Sequence, residues 1–377
     1  MDRMAMPRTL TVRRSGEAPR THRAVTVGLP AAEPINVETP FDLLDLPLTP
    51  AQGFFVRNNG TCPEGIPLDP DAWTLTIDGH VSDRRSLSVA DLKRDFEVAS
   101  VTTVLECAGN GRALLDPPVE GNHWRYGAVG CARFTGVRLA DLLRAMGLLP
   151  EAAYTAHHSP DRTAAGKVAI SRGLPLWKAM APETLVAFAM NGEPLSIDHG
   201  GPLRIVAPGF PGSAWQKWIA RIEVRDREHD GEKMTGTDYR LPPSPLEPGD
   251  PVDPETFRVI DDIPVKSLIT HPVDGASIRI GEPVEVRGWA WSGRDPVESV
   301  AISFDAGVTW QTATLEPGDG PWAWRRFHVR WTRPASGSTT ILARATDAAG
   351  RSQPIGQAWN PRGYNNNGCH RVRISQM

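Results

Sequence analysis

Proline and glycine punctuate this chain from end to end, with 35 of each scattered among the apolar runs of its 377 residues. A proline in a helix interior costs about 3 kcal/mol and a glycine about 1 kcal/mol relative to alanine. Long helices are thereby excluded, and a fold of short strands joined by many turns is implied. The length exceeds the roughly 100 to 150 residues of a typical single domain, which predicts two bodies with separate cores. A 23% charged fraction balanced to a net charge of −3 describes an ordinary globular chain and gives no footing for a nucleic-acid partner. No window approaches the roughly 20 apolar residues of a membrane span. Ser15 to Arg23 is too polar for the apolar stretch of an export signal, so cytoplasmic residence is expected.

Residues 1–40 carry basic and polar side chains without periodicity and read as an arm. Residues 41–262 read as a mixed α+β domain. Trp73 to Gly79 alternates like a half-buried strand, and Ser88 to Leu92 opens a helix. Val137 to Met146 and Pro175 to Met180 have helical spacing, while Leu203 to Ala207 and Trp218 to Val224 read as strands. No regular βα repeat and no glycine-rich dinucleotide fingerprint appears. Prolines recur between Arg240 and Asp262, a stretch that prefers extended backbone and is taken as the connection between domains. Residues 263–377 then supply apolar runs at Val284 to Trp291, Val297 to Phe304, Trp310 to Leu315, Trp322 to Trp331 and Thr339 to Ala345. Turn signals at Asp305 to Gly307 and Asp347 to Gly350 separate them, which predicts an immunoglobulin-like β-sandwich.

Four cysteines, Cys62, Cys107, Cys131 and Cys369, lie far apart and lack zinc-site spacing. Cys107 differs from the others in its setting. Val101 to Arg112 is an apolar strand that delivers a thiol to small residues and an arginine, so a bulky group can approach the backbone and a thiolate or anion is favoured. A tight structural turn fits the same residues. Arg57 interrupts an apolar run and is followed by Asn58 and Asn59, as a strand ending in a turn would be. His199 and Arg204 stand among turn residues in Asn191 to Arg204, a pairing that suits a phosphate and also suits two satisfied surface side chains.

Together these segments resemble the sulfite oxidase family. Cys107-Ala-Gly-Asn-Gly-Arg112 is similar to that family's cysteine loop and Phe55-Val-Arg-Asn-Asn59 to its arginine strand. Gly127 to Leu143, Met190 to Leu195, Asp198 to Arg204, Lys217-Trp218, Thr237 to Tyr239 and Trp359 to Gly363 follow in the family's order. The resemblance runs from about residue 45 to the C-terminus. It implies a molybdenum-molybdopterin cofactor in the first domain and an immunoglobulin-like second domain that makes a homodimer. Cys107 becomes the thiolate on the metal, which suits a soft ligand. Arg57, Arg112 and Arg362 become the lining of an anion pocket, and Tyr239 a hydrogen-bond donor near the reacting oxygen. Phe55, Val56, Arg57, Asn58, Asn59, Asp161, His199, Arg204, Trp215, Gln216 and Lys217 join Cys107 as cofactor contacts. The implied reaction is oxidation of sulfite to sulfate by oxygen-atom transfer, with electrons passed to a separate acceptor because no haem or flavin segment is evident.

Two positions depart from the family pattern: Asn59, where histidine is frequent, and Gly111, where an arginine often precedes the next one. Both leave the substrate open, and the same scaffold could act on another sulfur compound or on an oxyanion such as nitrate. A non-catalytic immunoglobulin-like binding protein is a reading from another class. Hydrolysis by Cys107 with His123, His157 or His158 as base is a third.

Overall fold

The computed structural model describes residues 9–12, 23–26, 34–279, 281–332 and 337–376. Strands dominate, and the helices are short: Val89–Asp95, Leu139–Met146 and Leu176–Ala179. None of the described helices is long and apolar enough to cross a membrane. The first is set by a reciprocal cap, in which Ser88 Oγ accepts Asp91 N–H at 3.0 Å and Asp91 Oδ2 accepts Ser88 N–H at 2.9 Å.

Two sheets build the first domain. One runs in the order Arg172–Pro175, Tyr154–His158, Arg221–Arg225, Thr74–Gly79, Arg85–Ser88. Within it Arg221–Arg225 lies parallel to Thr74–Gly79 and the other pairs are antiparallel. The second sheet runs Glu193–Pro194, Leu185–Met190, Val129–Arg138, Val98–Glu106, antiparallel throughout, with Arg204–Val206 also on Leu185–Met190. Their shared core includes Leu75, Ile77, Phe134, Val137, Leu142, Val186, Ile205 and Ile222.

The helical spacing from Val137 is corrected by the structure. Val137 pairs with both Val98 and Val186, the strand continues through Arg138, and the helix opens only at Leu139. A central strand buried on both faces is apolar without alternation, which imitates a helix face in sequence. The expected arm is partly paired: Thr9–Val12 lies antiparallel to Arg23–Thr26, and Asn36–Val37 to Val56–Arg57. The remainder of residues 1–33 is outside the described residues. The proline-rich connection closes on itself in a separate two-stranded ladder, Arg240–Leu241 antiparallel to Arg258–Val259.

Beyond residue 262 lies the expected sandwich. One sheet runs Lys266–His271, Pro283–Trp291, Arg325–Thr332, Thr314–Leu315, the other Ser277–Ile278, His370–Gln376, Gly337–Asp347, Val297–Ser303, Gln311–Thr312. Val286, Val300, Ile302, Phe327, Ile341 and Val372 fill the space between them. The domains meet through a third apolar cluster, in which Leu44, Val104, Val129 and Cys131 pack on Ile263, Leu268, Trp289, Trp291 and Trp324. Trp289 and Trp324 stack at 5.1 Å. This contact brings the loop of residues 360–368 against the cysteine turn, through Asn365 N–H to Ala108 O at 2.8 Å.

Candidate active site

The strand Val98–Glu106 ends where the two domains meet, and buried Cys107 follows with its N–H on Ala128 O at 2.9 Å. The chain then turns tightly, with Asn110 N–H on Cys107 O at 2.8 Å and Arg112 N–H on Gly109 O at 3.0 Å. Glu106 anchors this turn from behind. Its Oε1 accepts Lys266 Nζ at 2.6 Å and Asn110 Nδ2 at 2.9 Å, while Oε2 accepts Trp291 Nε1 at 2.8 Å. Lys266 and Trp291 belong to the sandwich, so the thiol is aimed by both domains. Gly111 has φ +89°, where a side chain is strained, and a Cβ there would lie 3.0 Å from Asn366. Asn366 occupies that space and donates to Gly111 O at 2.9 Å, so an arginine at 111 would have to displace it.

Two cavities converge on Cys107, Arg57 and Tyr239. The outer one is also lined by Arg112, Glu120, Lys233, Asp238 and Arg362. Arg112 is fixed by Nε–H to Arg362 O at 2.9 Å and Nη1–H to Asn122 O at 3.0 Å, with its plane over the Tyr364 ring at 5.3 Å. Gly121, at φ +115°, passes so close that a Cβ would lie 2.7 Å from Arg112 Nη1. Arg57 donates to Asn36 Oδ1 at 3.2 Å and to Asn59 Oδ1 at 3.0 Å. Arg362 pairs with Asp238. Arg57 and Arg112 thus satisfy their donors on neutral oxygens, which fixes their geometry without cancelling their charge. Such a pocket is built for an oxyanion.

The inner cavity is lined by Cys107, Phe55, Asn58, His199, Trp215 and Lys217. Buried Arg204 donates to His199 O at 2.8 Å, yet its Nε–H has no partner, and neither has the buried hydroxyl of Ser213. Lys217 Nζ donates to Asp198 O at 2.8 Å and to Asn58 Oδ1. Burial pushes Arg204 down to about 9. Burial, reinforced by Arg204, pushes Lys217 down to about 7. Burial also drives His199 down to about 3, so it is neutral at pH 7, with Nδ1 2.8 Å from Ser196 Oγ. Burial raises the carboxyls of Asp161 and Asp198. Among the described residues neither Arg204 nor Lys217 ion-pairs with a carboxylate. Two cations, a free guanidinium N–H and a free hydroxyl lining one cleft are a donor set suited to a phosphate. The same cleft includes Cys107, so its residues fit a phosphate-bearing pterin. Among the described residues no group of three or more His, Cys, Asp or Glu side chains is arranged to hold a metal by itself, so a metal bound at Cys107 would need further ligands from a cofactor.

The structure brings almost all the sequence-derived residues together. Phe55, Arg57, Asn58, Asn59, Cys107, Asp161, His199, Arg204, Trp215, Gln216, Lys217 and Tyr239 line the inner cavity, and Arg112 and Arg362 join in the outer one. Val56, buried and paired with Val37, is in the lining of neither cavity. His123, His157 and His158 also line neither cavity, which leaves the hydrolytic reading without the bases it named. Sequence reasoning missed Ser213, Lys233 and Tyr364. Tyr364 stands two residues after Arg362 and was within reach of the same argument. Ser213 and Lys233 sit in ordinary turn composition and gave no signal.

Comparison with known proteins adds to this geometry. The oxidoreductase molybdopterin binding domain matches residues 62–233, and the Mo-co oxidoreductase dimerisation domain matches residues 257–377. Mitochondrial sulfite oxidase of Rattus norvegicus is 36% identical over 99% of this chain, which spans 69% of that protein. Sulfite oxidase of Arabidopsis thaliana is 34% identical, with 96% of each chain aligned. The solved structure of the sulfane dehydrogenase SoxCD from Paracoccus pantotrophus superposes with a TM-score of 0.76 at 28% identity, covering 96% of this chain and 93% of that one.

Proposed function

Because this chain belongs to the sulfite oxidase family of molybdopterin oxidoreductases, we propose that it oxidises sulfite to sulfate. The observation that carries the reading is the cationic outer pocket opening onto Cys107 at the end of a phosphate-binding cleft. When bound, the molybdenum-molybdopterin cofactor supplies the two-electron redox chemistry, in which sulfite and water become sulfate, two protons and two electrons. The chain's own residues do the holding and the shaping. Cys107 offers the metal a soft thiolate. Arg204, Ser213 and Lys217 hold the phosphate end, and Asn58, His199 and Gln216 flank the pterin. Arg57, Arg112 and Arg362 orient the oxyanion through their planar forks of donors and offset its charge. Tyr239 stacks on Tyr364 at 5.5 Å with its hydroxyl 3.3 Å from Asn59 Oδ1, poised to donate to a substrate oxygen.

Electrons leave to a separate acceptor in this reading, and the matched dimerisation domain supports a homodimer built through the sandwich. Cytoplasmic residence belongs to the same proposal and rests on sequence alone. The test is metal analysis of purified protein together with sulfite-dependent reduction of ferricyanide, run beside a sulfane-sulfur compound and nitrate. Stoichiometric molybdenum with sulfite turnover is expected. A molybdenum-replete protein inert to sulfite but active on either other compound would overturn the substrate assignment.

A further inference from the structure

We propose that Lys233 is a substrate-binding residue of the outer pocket, a fourth cation that Asn59 orients toward the anion. The inference rests on that pocket being the oxyanion site argued above. Lys233 lines the cavity with Arg57, Arg112 and Arg362, and its Nζ donates to Asn59 Oδ1 at 2.9 Å. The same oxygen receives Arg57 Nη2 at 3.0 Å and Tyr239 OH at 3.3 Å. An amide oxygen has two lone-pair directions, so three donors crowd one acceptor, and while Arg57 stays on it both Lys233 and Tyr239 can turn to the substrate without leaving it unsatisfied. Lys233 has the flexible stem and three rotating N–H groups for that movement, whereas Arg57 is held on Asn36 as well. Among the described residues Lys233 ion-pairs with no carboxylate.

The backbone points the same way. Lys233 has φ +65°, a conformation rarely adopted by a residue with a side chain, and buried Arg172 donates to its carbonyl oxygen. The Arg172 guanidinium also lies over the Tyr239 ring at 5.1 Å, so one group holds the lysine's backbone and the tyrosine together. Charge sets the role. Four cations share this cavity with two carboxylates, Glu120 and Asp238, which leaves a balance matched to a dianion; without Lys233 it falls one charge short. A neutral imidazole at position 59 would offer a single acceptor nitrogen that could not gather these three donors.

The experiment uses cofactor-loaded protein and two readouts: sulfate affinity by calorimetry, and steady-state kinetics with sulfite. In Lys233→Met the sulfate Kd and the sulfite KM should both rise about tenfold while kcat stays within about twofold and molybdenum content is unchanged. Lys233→Asn, which tolerates the left-handed backbone, should behave alike, and Lys233→Arg should recover most of the affinity. Correctly loaded Lys233→Met and Lys233→Asn with parental Kd and KM would overturn the assignment. A parent protein that binds sulfate through Lys233 but never turns over sulfite would sustain the lysine's role and defeat the substrate assignment instead.

Discussion

Lys217 is half-buried in the inner cleft beside Arg204, and that has a measurable consequence. Its ordinary value near 10.5 falls to about 7 on burial. Between these two pH values the unfolded chain holds a proton at this residue that the folded chain lacks, so its contribution to stability rises with pH across the window and is least favourable below pH 7. An anion docking beside the ammonium reverses the shift and draws the proton back. Inorganic phosphate added to cofactor-free protein at pH 8 should therefore bind with net proton uptake, read by calorimetry in buffers of different ionisation enthalpy. Lys217→Met should abolish the uptake; uptake unchanged in that variant would place the titrating group elsewhere. In the outer pocket, Arg57→Gln should raise the sulfite KM about tenfold or more with molybdenum retained, and an unchanged KM would remove Arg57 from substrate contact. Cys107 and Arg57 were legible in sequence because each interrupts or terminates an apolar run, where a polar group has to be explained. Lys233 and Ser213 were not, since a lysine or serine in a turn is unremarkable until the fold closes a cavity over it.

The cysteine strand shows what an element owes to partners far away in sequence. Glu106 and Lys266 are both buried and lie 160 positions apart, an ion pair that joins the end of Val98–Glu106 to the first strand of the sandwich. No periodicity announces it, and Lys266–His271 was itself absent from the strands expected from sequence. The misplaced helix start at Val137 has a related cause, because a central strand's sequence reflects neighbours on both faces that local spacing cannot name. Removing one member of a buried pair leaves an uncompensated charge at a cost of about 3–5 kcal/mol. Lys266→Met should accordingly lower Tm on the order of 10 °C and loosen the cysteine turn enough to reduce molybdenum retention. Adding Glu106→Gln should restore much of the Tm, since the amide still accepts from Asn110 or Trp291 while carrying no charge. Equal instability in the single and double variants would mean that packing, not the stranded carboxylate, sets the cost.

At the scale of the whole molecule the two domains behave as one site-building unit, because the sandwich contributes Arg362 and Tyr364 to the pocket and Lys266 to the cysteine turn. For the apolar part of their contact, nothing in sequence showed that Trp289, Trp291 and Trp324 face the other domain. Cys131 lies within that contact, its thiol pushed up to about 12 by burial, so it is an inert packing group. The polar part centres on Asp45, which takes Arg287 at 2.9 Å, Arg326 at 2.6 Å and Thr270 Oγ1 at 2.6 Å from across the contact. Burial disfavours its charge, but the hydrogen bonds from Arg287, Thr270 and Arg326 outweigh that and bring its pKa from 3.8 to about 2. A carboxyl depressed in this way contributes stability that is fully present above its unfolded value and is lost as pH falls through the folded one. Partial exposure screens the contribution to roughly 1–2 kcal/mol. Acid should therefore weaken the domain contact between pH 4 and 2, and the stacked Trp289 and Trp324 should report it as a fluorescence change. Asp45→Asn should start less stable at pH 7 and show a shallower loss of stability across that window. If the variant instead falls as steeply as the parent, the acid-sensitive link between the domains is not Asp45.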